Sequence, residues 1–536
     1  MQKLLLALCV LVAASTLHAQ RYLAQSFAPS VDLTAELTPY GANVSVLPIV
    51  LGQSMEPALD TLGFRLYTPA GDVATNRPVV IIHHTGSYMP LVINGGLTGM
   101  INDLAVIELG QRFAALGYVV VTPEYRLGWN TTAPDVDEQT ETLLIASLRG
   151  AQDLHMMTRF LRKTVAEDGN PLGIDAERIM ALGLGTGGYN VNNANFLDRV
   201  SEVNDLDKFI DSRDNLPYYD STLYGNPYGT DQARLNVPNW AQYESGFAFG
   251  VNLGGAMGDV SWIEGKDSEA PVVAMHSIRD ANAPFGIGNI LVPTTGNTVL
   301  QDSPGSRVIV GMSNMNGNNA PLEAINTQLL AAGDGLTARV AALSDVPFTT
   351  RSGFMTTLAT ENLYPFVYPE GTRFANEYNY ADTSLIGPVA RPIIAGIPGF
   401  PFPNFESMVQ AEQASNRNFL DPAGARAYLD TIMQFVVPRA YAALNLQELV
   451  GTEDLSAATA ELEVMPNPAR DRVVVEVRED LAIERVEVFS SVGQRVGAFP
   501  ARGSRVEVPL DGVPAGVHFL FIHTDEGVTT SKLYVE

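Results

Sequence analysis

Arg178-Ile-Met-Ala-Leu-Gly-Leu-Gly-Thr-Gly-Gly-Tyr189 reads as a short apolar strand that runs into a tight glycine turn and then into a helix. Gly183, Leu184, Gly185, Thr186 and Gly187 fill the five places of a Gly-x-Ser-x-Gly elbow. The glycines of that motif let the backbone turn sharply enough to hold a serine in a strained, exposed position. The middle place here is Gly185, so the turn is present and the hydroxyl is not.

Working outward, Leu144, Leu148, Ala151, Leu154, Met157 and Leu161 recur at intervals of three and four, which predicts a long amphipathic helix feeding the elbow strand. Upstream, Gly63–Tyr67, Pro78–Ile82 and Tyr118–Thr122 read as strands, with a helix around Val106 to Leu116 between the last two. Downstream, Gly246–Leu253, Pro271–His276 and Arg307–Gly311 read as further strands, and Ala425–Leu446 as a helix interrupted at Pro438. Strands alternating with helices predict an α/β fold: a mostly parallel sheet with helices on both faces. The polar, aromatic-rich stretch from Asp198 to Tyr243 is too long for a plain connection and is expected to be an inserted cap over the site.

At 536 residues the chain has room for one large core and an appendage, and 46% hydrophobic with 17% charged residues is globular composition. A formal charge of -26 argues against nucleic acid, whose phosphates attract Lys and Arg. Lys3, the apolar run Leu4 to Ala14 and the small residue Ala19 stand in the order of a secretory signal peptide, expected over residues 1–19. Cys9 lies inside it, so the mature chain has no thiol for catalysis, disulfides or metal. No later run reaches the ~18 apolar residues of a membrane helix. The large α/β region is expected over 20–450, followed by a linker over 451–460. From Glu461 the texture becomes all-β, with short strands at Arg472–Val477, Ile483–Phe489, Arg505–Val508, His518–His523 and Lys532–Val535, which predicts a small sandwich.

From about Gly63 to Leu446 the chain resembles an α/β-hydrolase of the esterase kind. His84-Thr-Gly-Ser87 after its strand resembles the HGGG-type oxyanion loop, Tyr125-Arg-Leu-Gly128 resembles the segment after the next strand, and Asp280 resembles the triad acid. From Glu461 to Glu536 the chain resembles the C-terminal sorting domain of cargo exported by the type IX secretion system of Bacteroidota. The matching residues are Met465-Pro-Asn-Pro468, Val486-Glu-Val-Phe-Ser-Ser-Val-Gly-Gln494, Gly516-Val-His-Phe519 and Lys532-Leu-Tyr534, with His518 where an aromatic is usual. That resemblance implies the type IX machinery as partner through residues 461–536. It also implies a destination beyond the outer membrane, with the cargo released or surface-attached.

Acyl transfer on this fold needs a hydroxyl nucleophile, an imidazole base, a carboxylate to orient it and N–H groups aimed at the oxyanion. Thr85, Gly86, Ser87 and Thr186 are the expected oxyanion donors and Asp280 the expected acid. Thr186 and His84 are the residues left to replace nucleophile and base, with Gly185 at the nucleophile position. In α/β-hydrolases the histidine follows the acid, yet the seven histidines are His18, His83, His84, His155, His276, His518 and His523, none between Asp280 and the sorting domain. The loop after Arg307–Gly311, where the base is expected, offers Ser313, Asn314, Asn316, Asn318 and Asn319, none of them a general base near neutral pH. No cofactor or metal is expected, since His83 and His84 at a strand end point to opposite faces. The expectation is a secreted hydrolase-fold protein whose Ser and His places are empty, non-catalytic and binding an unknown small molecule or glycan. The alternative is a carboxylic ester hydrolase, acting on acylated carbohydrate or small esters through an unconventional site.

Overall fold

The computed structural model describes residues 21–293, 295–397, 400–450, 461–490, 495–525 and 528–536. The leader expected over 1–19, the linker over 451–460 and the turn at 491–493 lie outside the described residues, as does most of the turn at 525–527. The chain divides into two compact units, one from Arg21 to Asn445 and one that takes in Leu446 to Glu536.

Runs of Val and Ile that are buried on both sides make the middle of the larger unit's sheet, as an apolar run without alternation requires. Its principal strands are β1 (Thr38–Ser45), β2 (Ala58–Pro69), β3 (Arg77–His83), β4 (Val119–Pro123), β5 (Ile174–Leu184), β6 (Phe249–Leu253), β7 (Val272–Ser277) and β8 (Leu363–Phe366). They lie in the order β1-β2-β4-β3-β5-β6-β7-β8, and Pro29–Ser30 pairs with the far end of β2. β1, β2 and β4 are joined antiparallel, and every pairing from β4 through β3 and β5 to β8 is parallel. The elbow strand β5 therefore sits between β3 and β6, in the interior of the sheet.

Helix α1 (Leu104–Ala115) covers one face. On the other lie α2 (Val136–Ala166) and α3 (Thr186–Phe196), the latter starting directly from the elbow. Val79 and Ile81 of β3 share a core with Ala151, Leu154, Met157 and Leu161 of α2. The period-three and period-four stripe thus marks the buried face. α2 is anchored by an ion pair with no solvent exposure: Arg126 donates through Nε to Asp153 Oδ1 at 2.9 Å and through its backbone N–H to Asp153 Oδ2 at 2.7 Å. The Tyr125-Arg-Leu-Gly segment is fixed to the helix by that carboxylate.

The insertion after the elbow is present as short helical turns, but it packs along α2 rather than over Gly185. Gln152 Nε2 donates to the carbonyls of Tyr224 and Asn226, each at 2.8 Å, and Arg159 donates to those of Tyr228 and Asn239. The covering of the elbow comes from a later Pro- and aromatic-rich stretch, residues 363–405, whose Asn376 lies against Gly185. Arg307–Gly311 is not a strand: it lies in helix α4 (Ser306–Asn316), whose Ile309, Val310 and Ser313 face inward. A five-residue apolar run does not distinguish a strand from a buried helical turn. The last strand of the sheet is instead β8, beside β7. Beyond it come α5 (Thr383–Gly396), α6 (Phe405–Ser415) and α7 (Pro422–Ala443), and α7 runs unbroken through Pro438 to pack against α1 and β6.

The smaller unit is all-β. β9 (Glu463–Met465), β10 (Arg472–Glu476) and β13 (Arg505–Pro509) form one antiparallel sheet. β11 (Ile483–Ser490), β12 (Arg495–Pro500), β14 (Gly516–Thr524) and β15 (Val528–Val535) form the other. β9 and β12 add to the strands expected from sequence. Alternate residues Val473, Val475, Val486, Val488, Leu520 and Ile522 fill the core. The two end motifs meet: Asn467 donates through Nδ2 to the Lys532 carbonyl at 2.7 Å and accepts from the Tyr534 N–H at 2.9 Å.

Candidate active site

The elbow is sterically complete. A Cβ on Gly183 would lie 2.1 Å from the Gly187 carbonyl oxygen, and one on Gly187 would lie 2.2 Å from that of His83. Only glycine fits at either place. Gly185 itself has φ 51 and ψ -108, the strained turn that the motif exists to hold. The space its side chain would occupy is taken: a Cβ there would lie 2.6 Å from Thr85 Oγ1, 3.2 Å from Thr85 Cβ and 3.3 Å from Asn376 Oδ1.

No motif marks Asn376. It lies on the loop after β8, downstream of the acid, where chain order puts the histidine. It has φ 53, a conformation asparagine tolerates better than most residues. Its Oδ1 accepts from the Tyr378 hydroxyl at 2.7 Å and its carbonyl accepts from Asn416 Nδ2 at 3.0 Å. Tyr378 is buried, and burial raises its pKa well above the ordinary tyrosine value, so it stays a neutral donor. The expected base loop at 313–319 is elsewhere: Ser313, Asn314 and Asn316 belong to α4, and Asn314 donates to the Glu361 carbonyl at 2.8 Å. A signal for Asn376 existed in its position after the acid, but β8 is only four residues long and carries Pro365, which hides it.

Asp280 follows β7, as expected. Its Oδ1 accepts from the N–H groups of Asn282 at 2.7 Å and Ala283 at 2.9 Å, which caps the next turn, and its Oδ2 is 3.5 Å from His276 Nε2. Asp280, Asn376 and Tyr378 line a cavity of about 10 Å³. A single water needs about 10–15 Å³. There is no room for an ester.

The loop expected to supply oxyanion donors is closed on itself. Gly86, Ser87 and Tyr88 all have positive φ, and Gly86 lies tight against Gly99, where a Cβ would meet the Gly99 carbonyl at 2.7 Å. The Ser87 N–H, which would face an oxyanion, donates to Thr186 Oγ1 at 2.8 Å. His84 donates through Nδ1 to the Thr85 carbonyl, and its ring stacks on Tyr125 at 4.5 Å. His83 contacts Asn190 Nδ2 at 3.1 Å and stacks on the same Tyr125 at 5.1 Å. Burial lowers His83 to about 3, with a contribution from neighbouring His84, and lowers His84 to about 4. Both are neutral near pH 7, yet each is enclosed and held by the loop. Neither shares a partner with Asp280.

A second arrangement, which no sequence motif marks, lies behind Asp280. His276 Nδ1 is 2.8 Å from Ser306 Oγ, and its Nε2, 3.5 Å from Asp280 Oδ2, makes no hydrogen bond, so a serine, a histidine and an acid stand in sequence without a closed relay. Ser306 has no exposed surface and His276 1%. The Ser306 hydroxyl also accepts from Asn252 Nδ2 at 3.1 Å and lies 3.3 Å from the Gly255 carbonyl. It braces β6 and β7 against the first turn of α4.

For metal binding, Asp198, Glu202 and Glu264 place oxygens within 4.8 Å of one another. Arg199 bridges all three and Lys266 pairs with Asp198 and Glu264, so these carboxylates already have cationic partners.

The strand order, the one parallel run from β4 to β8 and the glycine turn that carries β5 into α3 define an α/β-hydrolase-like fold. The C-terminal residues have a narrower assignment: 463–536 match the family described as "Secretion system C-terminal sorting domain", and this part of the chain is such a domain. Among solved structures the chain is similar to Thermogutta terrifontis esterase 2 phosphorylated by paraoxon, at 14% identity and TM-score 0.31, covering 69% of this chain and 95% of that one. It is similar also to the propionate-bound form of a thermophilic esterase of that Planctomycetes species, at 12% identity and TM-score 0.30, covering 73% and 97%. The form phosphonylated by cyclosarin gives 14% identity and TM-score 0.29, covering 69% and 96%. No curated protein sequence matches the chain. No helix among the described residues is long and apolar enough to cross a membrane.

Proposed function

We propose that this is an exported cargo protein whose α/β-hydrolase-fold domain has given up ester hydrolysis and acts as a binding module. The observation that carries this reading is the filled nucleophile place: Gly185 has no hydroxyl, and Thr85 and Asn376 occupy the volume a serine would need. Asparagine cannot take a proton from a nucleophile near neutral pH, and Thr186 uses its oxygen to satisfy the oxyanion amide. In this reading a leader over 1–19 carries the chain across the inner membrane, and the sorting domain directs the 20–450 domain, through the linker at 451–460, to the type IX machinery. The cargo then works outside the outer membrane, released or surface-attached, in a bacterium of the Bacteroidota type.

A second reading, a working carboxylic ester hydrolase, rests on Ser306, His276 and Asp280. Their spacing favours it and their burial opposes it. Hydrolysis of p-nitrophenyl acetate by the protein lacking residues 1–19 separates the two, run beside Asp280→Asn and Ser306→Ala and with a fluorophosphonate label. Rates equal to buffer in all samples and no labelling are expected. Turnover that disappears with Ser306→Ala would establish the second reading and end the first.

A further inference from the structure

A cavity of about 450 Å³, partly open to solvent, lies beside Asp280. Its walls are the loop after β7, the hairpin of Ile287–Leu291 with Thr298–Pro304, and the turn at 350–354 of the hairpin Pro347–Thr349 with Met355–Thr357. Two glycines let these walls approach. A Cβ on Gly286 would lie 2.7 Å from Thr350 Cγ2, and one on Gly288 would lie 2.8 Å from Ser352 Oγ. The volume falls in the range of small-ligand sites, about 300–1,000 Å³.

Two cations, Arg279 and Arg351, line this space together with the carboxylates of Asp280 and Asp302. Arg279 is the informative one. Its guanidinium carbon sits 5.6 Å from the Phe348 ring centroid, its Nε is buried without a hydrogen-bond partner, and among the described residues it makes no ion pair. A buried N–H left unpaired is costly, and a guanidinium stacked on an aromatic ring is held ready for a planar, two-oxygen acceptor. Arg351 makes one long hydrogen bond, 3.4 Å to the Ala281 carbonyl. The carboxylate of Asp280 does not neutralise Arg279, because its oxygens face Asn282, Ala283 and His276.

Between the charged groups the lining offers the polar side chains Asn282, Gln301 and Ser352 beside Phe354, which is 45% exposed. Amide and hydroxyl groups suit a polyol, and a half-exposed ring suits the apolar face of a sugar. We propose that this cavity binds an acidic sugar, a hexuronic acid unit of a polysaccharide, with its carboxylate on Arg279 and its ring against Phe354. This rests on the binding-module reading but uses a different site from the elbow. Binding is measured directly, so its failure is distinct from a finding of ester turnover.

Calorimetric titration of the protein lacking residues 1–19 with digalacturonic acid tests it, beside maltose as a neutral disaccharide and succinate as an acid without a sugar ring. Digalacturonic acid is expected to bind about tenfold or more tightly than either control, and to weaken with added salt. Arg279→Met and Phe354→Ala are each expected to weaken it about tenfold, with thermal melts to confirm folding; Phe354 is exposed enough that its loss leaves the fold intact. Absence of binding, binding indifferent to both substitutions, or succinate equal to digalacturonic acid would each overturn the proposal.

Discussion

Gly185 stands at the middle of the elbow, where the motif carries serine. The turn there was shaped for a strained residue, and glycine adopts φ 51 without the cost that any other residue meets. Restoring serine alone is therefore unfavourable twice over. The backbone region costs about 1–3 kcal/mol for a non-glycine residue, and the new Cβ meets Thr85. Gly185→Ser is expected to lower the melting temperature and to give no esterase rate, since no base faces the new hydroxyl. Adding Thr85→Gly should recover part of the lost stability. Turnover of p-nitrophenyl acetate is expected only when Asn376→His is present as well. Activity from Gly185→Ser alone would mean that another group supplies the base.

Among the elements, helix α2 carries a consequence of burial that can be titrated. His155 donates through Nδ1 to the Ser245 carbonyl at 3.0 Å, and burial lowers its pKa to about 3. Unfolded, it takes up a proton near the ordinary value of about 6.5. Below that pH the unfolded chain binds a proton that the folded chain refuses, so stability falls as pH drops from about 6.5 toward 3. His83 and His84 act in the same direction. Asp103 acts in the opposite one: burial raises it to about 7, so its contribution is lost as pH rises from the usual aspartate range through 7. His155→Asn, which retains a donor for the Ser245 carbonyl, isolates one term. It should be less stable than the parent at pH 7.5, and the gap should narrow by about 1.4 kcal/mol per pH unit below 6.5. Urea titrations read by Trp129, Trp240 and Trp262 would show it; a gap independent of pH would mean that His155 is charged in the fold. What was legible at this scale follows from length and periodicity. The α2 stripe, the β3 run and the glycine elbow each announce one structure. β8 is too short and proline-bearing to do so, and Arg307–Gly311 is apolar in a way that a helix and a strand share. Losing β8 meant losing Asn376 and Tyr378, so the closing of the site from the far loop could not be read. Gly185 and Asp280 could, because their places are set by motif and order. The Ser306–His276 contact joins residues thirty positions apart and leaves no local pattern.

For the whole molecule, the two units are specified by different chemistry. The larger one hides long apolar strands between helices, whereas the sorting domain closes a small core of alternating valine, leucine and isoleucine. All three tryptophans lie between residues 129 and 262. Their fluorescence therefore reports the larger unit alone, which allows export and folding to be measured apart. Val488 has no exposed surface and sits within the core of the smaller unit. Val488→Asp places a carboxylate there without a partner, a change that costs more than a small sandwich can absorb. The expected result is loss of the protein from the cell surface and medium, with accumulation between the membranes on fractionation and blotting. The tryptophan emission and urea midpoint of the accumulated protein should match the parent. Thr530→Asp serves as a control, because it puts the same charge on the exposed side of β15 and should leave export intact. If Val488→Asp is exported normally, the folded sandwich is not what the machinery reads, and the Pro-Asn-Pro and Lys-Leu-Tyr end motifs joined by Asn467 become the segment to alter next.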